Sequence, residues 1–299
     1  MTLHHVYGNT YAIEAPYILL GLYRLNDHDV ILLDTGYALT DRVPLTELLT
    51  HHGFVVKGII CTHAHLDHSG NVRYLQEKYG CRVAVHLVEG AIAASHDSFC
   101  ANYGLATPDG KGSFEECFIA TDYIAPNVRE MELCGAKFEI LHLPGHSCGH
   151  IGVVTPDNVA YLSDALMSLP ELHASKMPTT QFLHHDIESK RSLHKLEANA
   201  YILSHKAITI DIHNIIEANV TYYEGKAQDI LGELQGTMTL GNWLKVYCQK
   251  YGIRIRNEES FLILEYGFNN LVAYLEELSL VEMVIEEGLR CYRRKGETS

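Results

Sequence analysis

Cys61-Thr62-His63-Ala64-His65-Leu66-Asp67-His68-Ser69-Gly70-Asn71 carries four metal-capable side chains within six residues: His63, His65, Asp67 and His68. Upstream, Val55-Val56-Lys57-Gly58-Ile59-Ile60-Cys61 is apolar and rich in β-branched residues, the signature of a buried strand. Downstream, Val72, Leu75 and Tyr79 recur at helical spacing until Gly80 stops the run. The cluster therefore lies on a strand-to-helix loop. His63 and His65 leave the strand end on one side, because side chains alternate with period two. Asp67 and His68 follow where the chain turns into the helix and reach toward a second point nearby. Two adjacent cations suit this arrangement better than one. The helix start adds partial positive charge beside the Asp67 carboxylate.

The chain holds 19 histidines, so one beside another carries little weight. An isolated histidine is more often a packed core residue. Three His and an Asp at this spacing, between an apolar strand and a Gly-Asn turn, point to metal chemistry instead. At 299 residues the chain is long enough for one large domain or two. A hydrophobic content of 47% with 20% charged residues sets aside a disordered chain. The formal charge of −14 argues against broad attraction to nucleic acid or an anionic membrane. No uncharged apolar run approaches bilayer thickness, so no membrane partner is expected. The first seven residues lack the basic-then-apolar pattern of a secretory leader. Eight scattered cysteines with no Cys-x-x-Cys pair fit a reducing, cytoplasmic setting better than a disulfide framework.

Further metal-capable residues recur along the chain at strand ends. Residues 17–23 and 30–33 read as two strands joined by the Asn26-Asp27-His28-Asp29 turn, with Asp34-Thr35-Gly36 directly after. Residues 41–52 read as a helix ended by Gly53. Another strand is expected over 81–86, a helix near 91–103, and a loop at Pro108-Asp109-Gly110. The strand 138–143 runs into Pro144-Gly145-His146-Ser147-Cys148, whose tight bend presents His146. Tyr161-Leu162-Ser163-Asp164 ends a strand with an acid, and Ala200-Tyr201-Ile202-Leu203-Ser204-His205 ends one with a His. One design repeats: strand after strand delivers a His or Asp at its C-terminal end, where α/β folds place their sites.

The ordered set His63-x-His65-x-Asp67-His68, His146, Asp164 and His205, with the early Asp34-Thr35-Gly36 turn, resembles the metallo-β-lactamase superfamily. The motifs span residues 34–206. Ser163 stands before Asp164 where that family usually has Gly, and Ser204-His205-Lys206 replaces its usual Gly-His-Gly; neither change removes a ligand. Cys148, near His146, is read as buried behind the metal rather than as a reactive thiolate.

The resemblance implies an α/β fold, the αβ/βα sandwich, over residues 1–212. It implies one cation held by His63, His65 and His146, and another by Asp67, His68 and His205, with Asp164 bridging. Zinc is the first expectation, although iron or manganese can use the same donors. The implied chemistry is hydrolysis by a hydroxide bridging the two metals, with Asp67 orienting it or relaying a proton and Asp34 fixing the ligand loop from behind. Diiron oxidoreductases of the family carry Glu where this chain has His65, which favours a hydrolase.

The implied substrate is a small thioester, ester or lactone, as in glyoxalase II-like members. A metal-dependent endoribonuclease or phosphodiesterase is the first alternative, and a regulatory protein of the same fold the second. His173, Lys176, His184 and His185 follow Asp164 where relatives shape the substrate pocket, although a solvated polar loop explains each equally well.

From residue 213 the pattern turns helical, through Ile216–Leu234, Leu240–Tyr247 and Phe268–Leu278, then strand, turn and strand over 280–294. Residues 213–299 thus resemble a winged-helix-like domain. The expected recognition helix carries Glu276 and Glu277 and no Lys or Arg, so nucleic acid is disfavoured. A packing surface, a substrate-pocket wall or a homodimer contact fits better.

Overall fold

The computed structural model describes residues 1–103 and 116–296. Its first sheet runs in chain order: β1 (Thr2–Tyr7), β2 (Thr10–Glu14), β3 (Leu19–Arg24), β4 (Asp29–Leu33), β5 (Val55–Cys61), β6 (Arg82–His86) and β7 (Asp122–Ile124). Pairing is antiparallel from β1 to β4 and parallel from β4 to β7. The second sheet contains β8 (Glu130–Leu133), β9 (Ala136–His142), β10 (Ile151–Val154), β11 (Val159–Ser163), β12 (Ala200–Leu203) and β13 (Ala207–Thr209), in the order β13-β12-β11-β10-β9-β8. Only its β11–β12 pair is parallel.

The central strands are apolar at consecutive positions because both of their faces are covered. In β4, Val30 and Leu32 join the core on the outer side of the first sheet, while Ile31 and Leu33 join the core between the sheets. In β11, Ala160 and Leu162 face outward and Val159 and Tyr161 inward. Helices α1 (Ala38–His51), α2 (Leu66–Ser69), α3 (Val72–Tyr79), α4 (Leu87–Ala93) and α5 (His96–Tyr103) follow strands of the first sheet. Leu45, Leu49, Val72, Leu75 and Ile92 from these helices cover its outer face. Helices α6 (Leu169–Ala174) and α7 (Leu183–Ser192) cover the second sheet. The result is a four-layered αβ/βα sandwich.

Several local expectations need adjusting. The helix expected near 91–103 is two helices, because the Ser95 hydroxyl accepts from the Ser98 backbone N–H at 3.1 Å and starts α5 afresh. The β1–β2 hairpin has no strong sequence signal, since no residue of β1 is fully buried and its apolar and polar residues do not alternate cleanly. The loop expected at Pro108-Asp109-Gly110 lies outside the described residues.

The C-terminal third contains α8 (His213–Gly232), β14 (Met238–Thr239), α9 (Leu240–Tyr251), α10 (Glu258–Glu277), β15 (Val281–Glu286) and β16 (Leu289–Arg294). The three strands form a small sheet in the order β14-β16-β15. α10 starts earlier than its apolar stripe, because Asn257 and Ser260 form a reciprocal capping box. Trp243 anchors this region, donating its indole N–H to the Ile230 carbonyl at 2.7 Å and packing edge-on against Phe268. Ile216, Tyr223 and Phe268 share one apolar cluster with Leu162, Leu203 and Ile187 of the sandwich, so the core runs unbroken across residue 212. Among the described residues, no helix is long and apolar enough to cross a membrane.

Candidate metal centre

The loops leaving β5, β9, β11 and β12 meet at one edge of the sandwich. They bring His63, His65, His146 and Asp164 into one group and Asp67, His68, Asp164 and His205 into a second, Asp164 belonging to both. All seven candidate ligands named from the sequence are therefore assembled. His65 Nδ1 lies 2.9 Å from His63 Nε2 and 2.9 Å from His146 Nε2. Asp164 Oδ2 lies 3.2 Å from His146 Nε2 and 3.3 Å from His205 Nε2. Asp164 Oδ1 is 3.2 Å from His68 Nε2, which is in turn 3.4 Å from Asp67 Oδ2. With ligand bonds of about 2.0–2.1 Å, the edges of a tetrahedral site measure roughly 3.3 Å, close to these separations.

Two atoms sharpen the fit to a cation. His68 Nε2 and Asp164 Oδ1 are both buried and make no well-formed hydrogen bond within the chain. Buried polar atoms are seldom left so, since each orphan costs about 1–3 kcal/mol. A cation between the two groups would satisfy both.

The electrostatics favour the same reading. Burial would raise the Asp67 carboxyl, but the neighbouring His68 outweighs it and holds the group at about 2. Burial would likewise raise Asp164, yet His68, His205 and His146 drive it well below the usual carboxylate range. Burial lowers His63, His65 and His146, leaving imidazole lone pairs available. His68 is the exception: burial opposes its charge, but Asp164, Asp67 and Asp34 raise it well above 6.5. His205 is raised by Asp164. Ionised acids beside the neutral imidazoles of His63, His65 and His146 form a donor set that divalent metals bind, and a cation at the acids would displace the protons they favour on His68 and His205.

Behind the candidate ligands stands Asp34, fully buried. Its carboxylate accepts from the Thr62 backbone N–H at 2.7 Å, the Thr62 hydroxyl at 2.8 Å, Tyr161 at 3.0 Å and Ser163 at 3.2 Å. It also accepts from His68 Nδ1 at 2.8 Å. A carboxylate only accepts, so His68 carries its hydrogen on Nδ1 and aims Nε2 at the site. Asp34 itself adopts φ 62°, and Ser163 and Lys206 adopt φ 51° and 61°. The last two are among the three positions, with Ser204, where the sequence departs from glycine, which takes positive φ without strain.

Sequence reading missed two residues. Glu89, on α4, is fully buried and accepts from Ala64 N–H at 2.9 Å, Ser147 Oγ at 2.7 Å and Gly149 N–H at 2.8 Å. It ties the His63–His65 loop to the His146 loop. His150, buried beside His63, accepts from the Asp164 backbone N–H at 3.3 Å through Nε2, and burial pushes its pKa down to about 3. Both belong to no linear pattern, although His150 lies four residues after His146. Cys148 is a thiol, raised to about 11 by burial and then by Glu89.

A cavity of about 330 Å³ opens from His146, Asp164 and His205 toward α6 and Tyr223 of α8. Of the sequence-named pocket candidates, none is among its lining residues. His173 and Lys176 are exposed beside it, and His184 and His185 lie exposed on α7 near Glu188, at 3.5 and 3.8 Å.

A family model described as "Metallo-beta-lactamase superfamily" matches residues 17–205. A hydroxyacylglutathione hydrolase of Shewanella loihica is 25% identical over 186 residues, covering 61% of this chain and 62% of that protein. The hydroxyacylglutathione hydrolase GloC of Haemophilus influenzae is 30% identical over 113 residues, covering 37% of this chain and 50% of that protein. The matches thus span roughly half to three-fifths of these relatives' length. Among solved structures, a metallo-beta-lactamase family protein of Thermus thermophilus superposes with TM-score 0.72 at 20% identity, covering 95% of this chain and 97% of that one. A beta-lactamase domain protein of Burkholderia ambifaria gives TM-score 0.74 at 15% identity, covering 98% and 94%. Both likenesses take in the C-terminal helical region as well as the sandwich.

Proposed function

The chain belongs to the metallo-beta-lactamase superfamily, and from that membership we propose that it is a metal-dependent hydrolase of a small thioester, ester or lactone. The observation that carries the proposal is the meeting of seven donor side chains around two buried atoms, His68 Nε2 and Asp164 Oδ1, that the chain itself leaves unsatisfied. In this reading His63, His65 and His146 hold one cation. Asp67, His68 and His205 would hold a second, with Asp164 available to either group. Nitrogen and carboxylate donors without a thiolate favour zinc and admit iron or manganese. Divalent cations bound there supply Lewis acidity and bring the pKa of water toward neutrality.

The protein's own groups do the positioning. Asp34 and Glu89 lock the ligand loops, so that donors need little rearrangement on binding. Asp67, whose side chain is 40% exposed against 7% for Asp164, is the more accessible of the two candidate acids. It orients the attacking water by accepting its hydrogen bond and can pass the proton to the leaving group. The cavity beside Asp164 receives the rest of the substrate. The relatives named as hydroxyacylglutathione hydrolases support a thioester among the candidate bonds.

Residues 213–299 are read as a winged-helix-like unit whose task is to wall the pocket or to form a homodimer contact. α10 carries no Lys or Arg, so the helix expected to read nucleic acid lacks phosphate contacts. The reducing, cytoplasmic setting inferred from the cysteines is part of the same proposal.

Metal analysis of the purified protein, followed by a screen of thioesters, esters, lactones and single-stranded RNA with and without chelator, tests this reading. The expected result is two divalent ions per chain and chelator-sensitive hydrolysis of at least one small substrate. Turnover of none of them overturns the proposal, and cleavage of RNA alone would make the protein a nuclease. His146→Ala should lower metal content and abolish turnover; unchanged metal and rate would contradict the assigned ligand set.

A further inference from the structure

Building on the hydrolase reading, we infer that the substrate carries an uncharged, apolar group of about ten non-hydrogen atoms beside the bond that is cut, and that the pocket rejects anionic tails. The cavity next to His146, Asp164 and His205 measures about 330 Å³. At roughly 30 Å³ per water-sized unit it holds on the order of ten heavy atoms.

Away from the candidate ligands its walls are Met167, Ala174, Met177, Pro178 and Tyr223, with Glu171, Ser175 and Thr179 as the polar members. This wall is built rather than incidental. Buried Asn219 accepts from the Met167 backbone N–H at 2.9 Å and donates to the Met167 carbonyl at 2.8 Å. The Tyr223 hydroxyl, 3.7 Å from the Met167 sulfur, is turned to that neighbour. Two methionines give an apolar surface that adapts to unbranched or branched chains.

Charge supplies the second half of the inference. Apart from the candidate ligands, the charged side chain lining the cavity is Glu171; no Lys or Arg of the described residues lines it. Lys176, on the same segment, is exposed and outside the lining. The cations would attract the carbonyl being cleaved, so the selection falls on the remainder of the substrate. Away from the metal ligands, a carboxylate brought into this cavity would meet Glu171, two hydroxyls and an apolar wall, with no Lys or Arg to pair with. Tyr223 lies beyond residue 205, where the family model ends, so part of this selectivity is built by a segment outside the matched region.

A glutathione tail carries two carboxylates and one ammonium, a net charge of about −1 near neutral pH, whereas N-acetylcysteamine is uncharged, which makes the discriminating probe simple. Calorimetry on the zinc-loaded full chain compares S-hexyl-N-acetylcysteamine, which is neutral, with S-hexylglutathione. Repulsion between two like charges about 4 Å apart is worth about fivefold in bulk water and more where solvent is partly excluded, so the neutral thioether should bind about ten times more tightly. Equal or tighter binding of S-hexylglutathione, or binding of neither compound, overturns the inference. The hexanoyl thioesters of the same two thiols should rank in the same order by kcat/KM. If the binding order holds and neither thioester is hydrolysed, the thioester arm of the hydrolase reading fails and the pocket inference stands. If the glutathione thioester is hydrolysed as fast or faster and its thioether binds as well, the reverse holds. Glu171→Gln should shrink the binding gap severalfold, and an unchanged gap would remove Glu171 as its source.

Discussion

Asp34 takes five hydrogen bonds at a backbone angle that non-glycine residues seldom adopt. Such a conformation costs on the order of 1–3 kcal/mol and persists only where surrounding contacts over-determine it. Asp34→Asn keeps the shape but turns an acceptor oxygen into a donor facing other donors. Zinc affinity, measured by competition with a chromophoric chelator, should fall about 10–100-fold. At this scale the seven candidate ligands were legible because each follows a strand end, and Asp34 because it precedes a glycine turn. Glu89 was not. A lone acid on an amphipathic segment reads as a solvated helix face, and only the fold wraps Ala64, Ser147 and Gly149 around it. Glu89→Ala strands those donors in the interior and should destabilise the protein by about 2–4 kcal/mol in urea unfolding.

The turn between β9 and β10 and the helix α7 behind it behave as one unit. Gly145 has φ 138°, and a Cβ there would lie 2.2 Å from the Asp186 backbone. Gln181 and Phe182 donate their N–H groups to its carbonyl, and Ser189 donates to Pro144 at 2.7 Å. The His146 turn therefore rests directly on α7. Within that helix Lys190 and Asp186 form a fully buried ion pair, and the ammonium stands 4.5 Å from the centre of the Tyr223 ring. Removing one partner leaves the other charged in a dry interior. Asp186→Ala should cost about 3–5 kcal/mol by chemical denaturation, whereas Asp186→Leu combined with Lys190→Met should come close to neutral. Sequence periodicity found most strands, because residues such as Val30–Leu33 are apolar on both faces. It did not find this pairing, which depends on two helical turns facing a loop some forty residues away.

The third scale is the core that α8, α9 and α10 share with the second sheet. Residue 212 is a boundary in sequence pattern, where strands give way to helices. The packing shows no such seam, because Leu162 and Leu203 meet the same cluster as Ile216 and Phe268. Sequence patterns report local period and are silent on which faces meet. Trp243→Ala opens a cavity worth about 3–5 kcal/mol in this shared core. Thermal unfolding of the variant should stay a single transition, lowered by roughly 5–15 °C. Two separate transitions, with the sandwich melting at its original temperature, would show that the C-terminal region folds as an independent unit.

The donors His63 and His205 stand about 140 positions apart and belong to different sheets. At a translation rate of roughly 5–20 residues per second, about 7–30 seconds pass at the ribosome between their syntheses. Throughout that interval the first cluster hangs on a nascent chain, exposed to whichever ion arrives. Metal acquired then would meet only part of the candidate cage, which is complete only once β12 and the His205 loop after it have been made and docked. An ion that needs the complete donor set would thus be held only late in biogenesis, once the second sheet has joined the first.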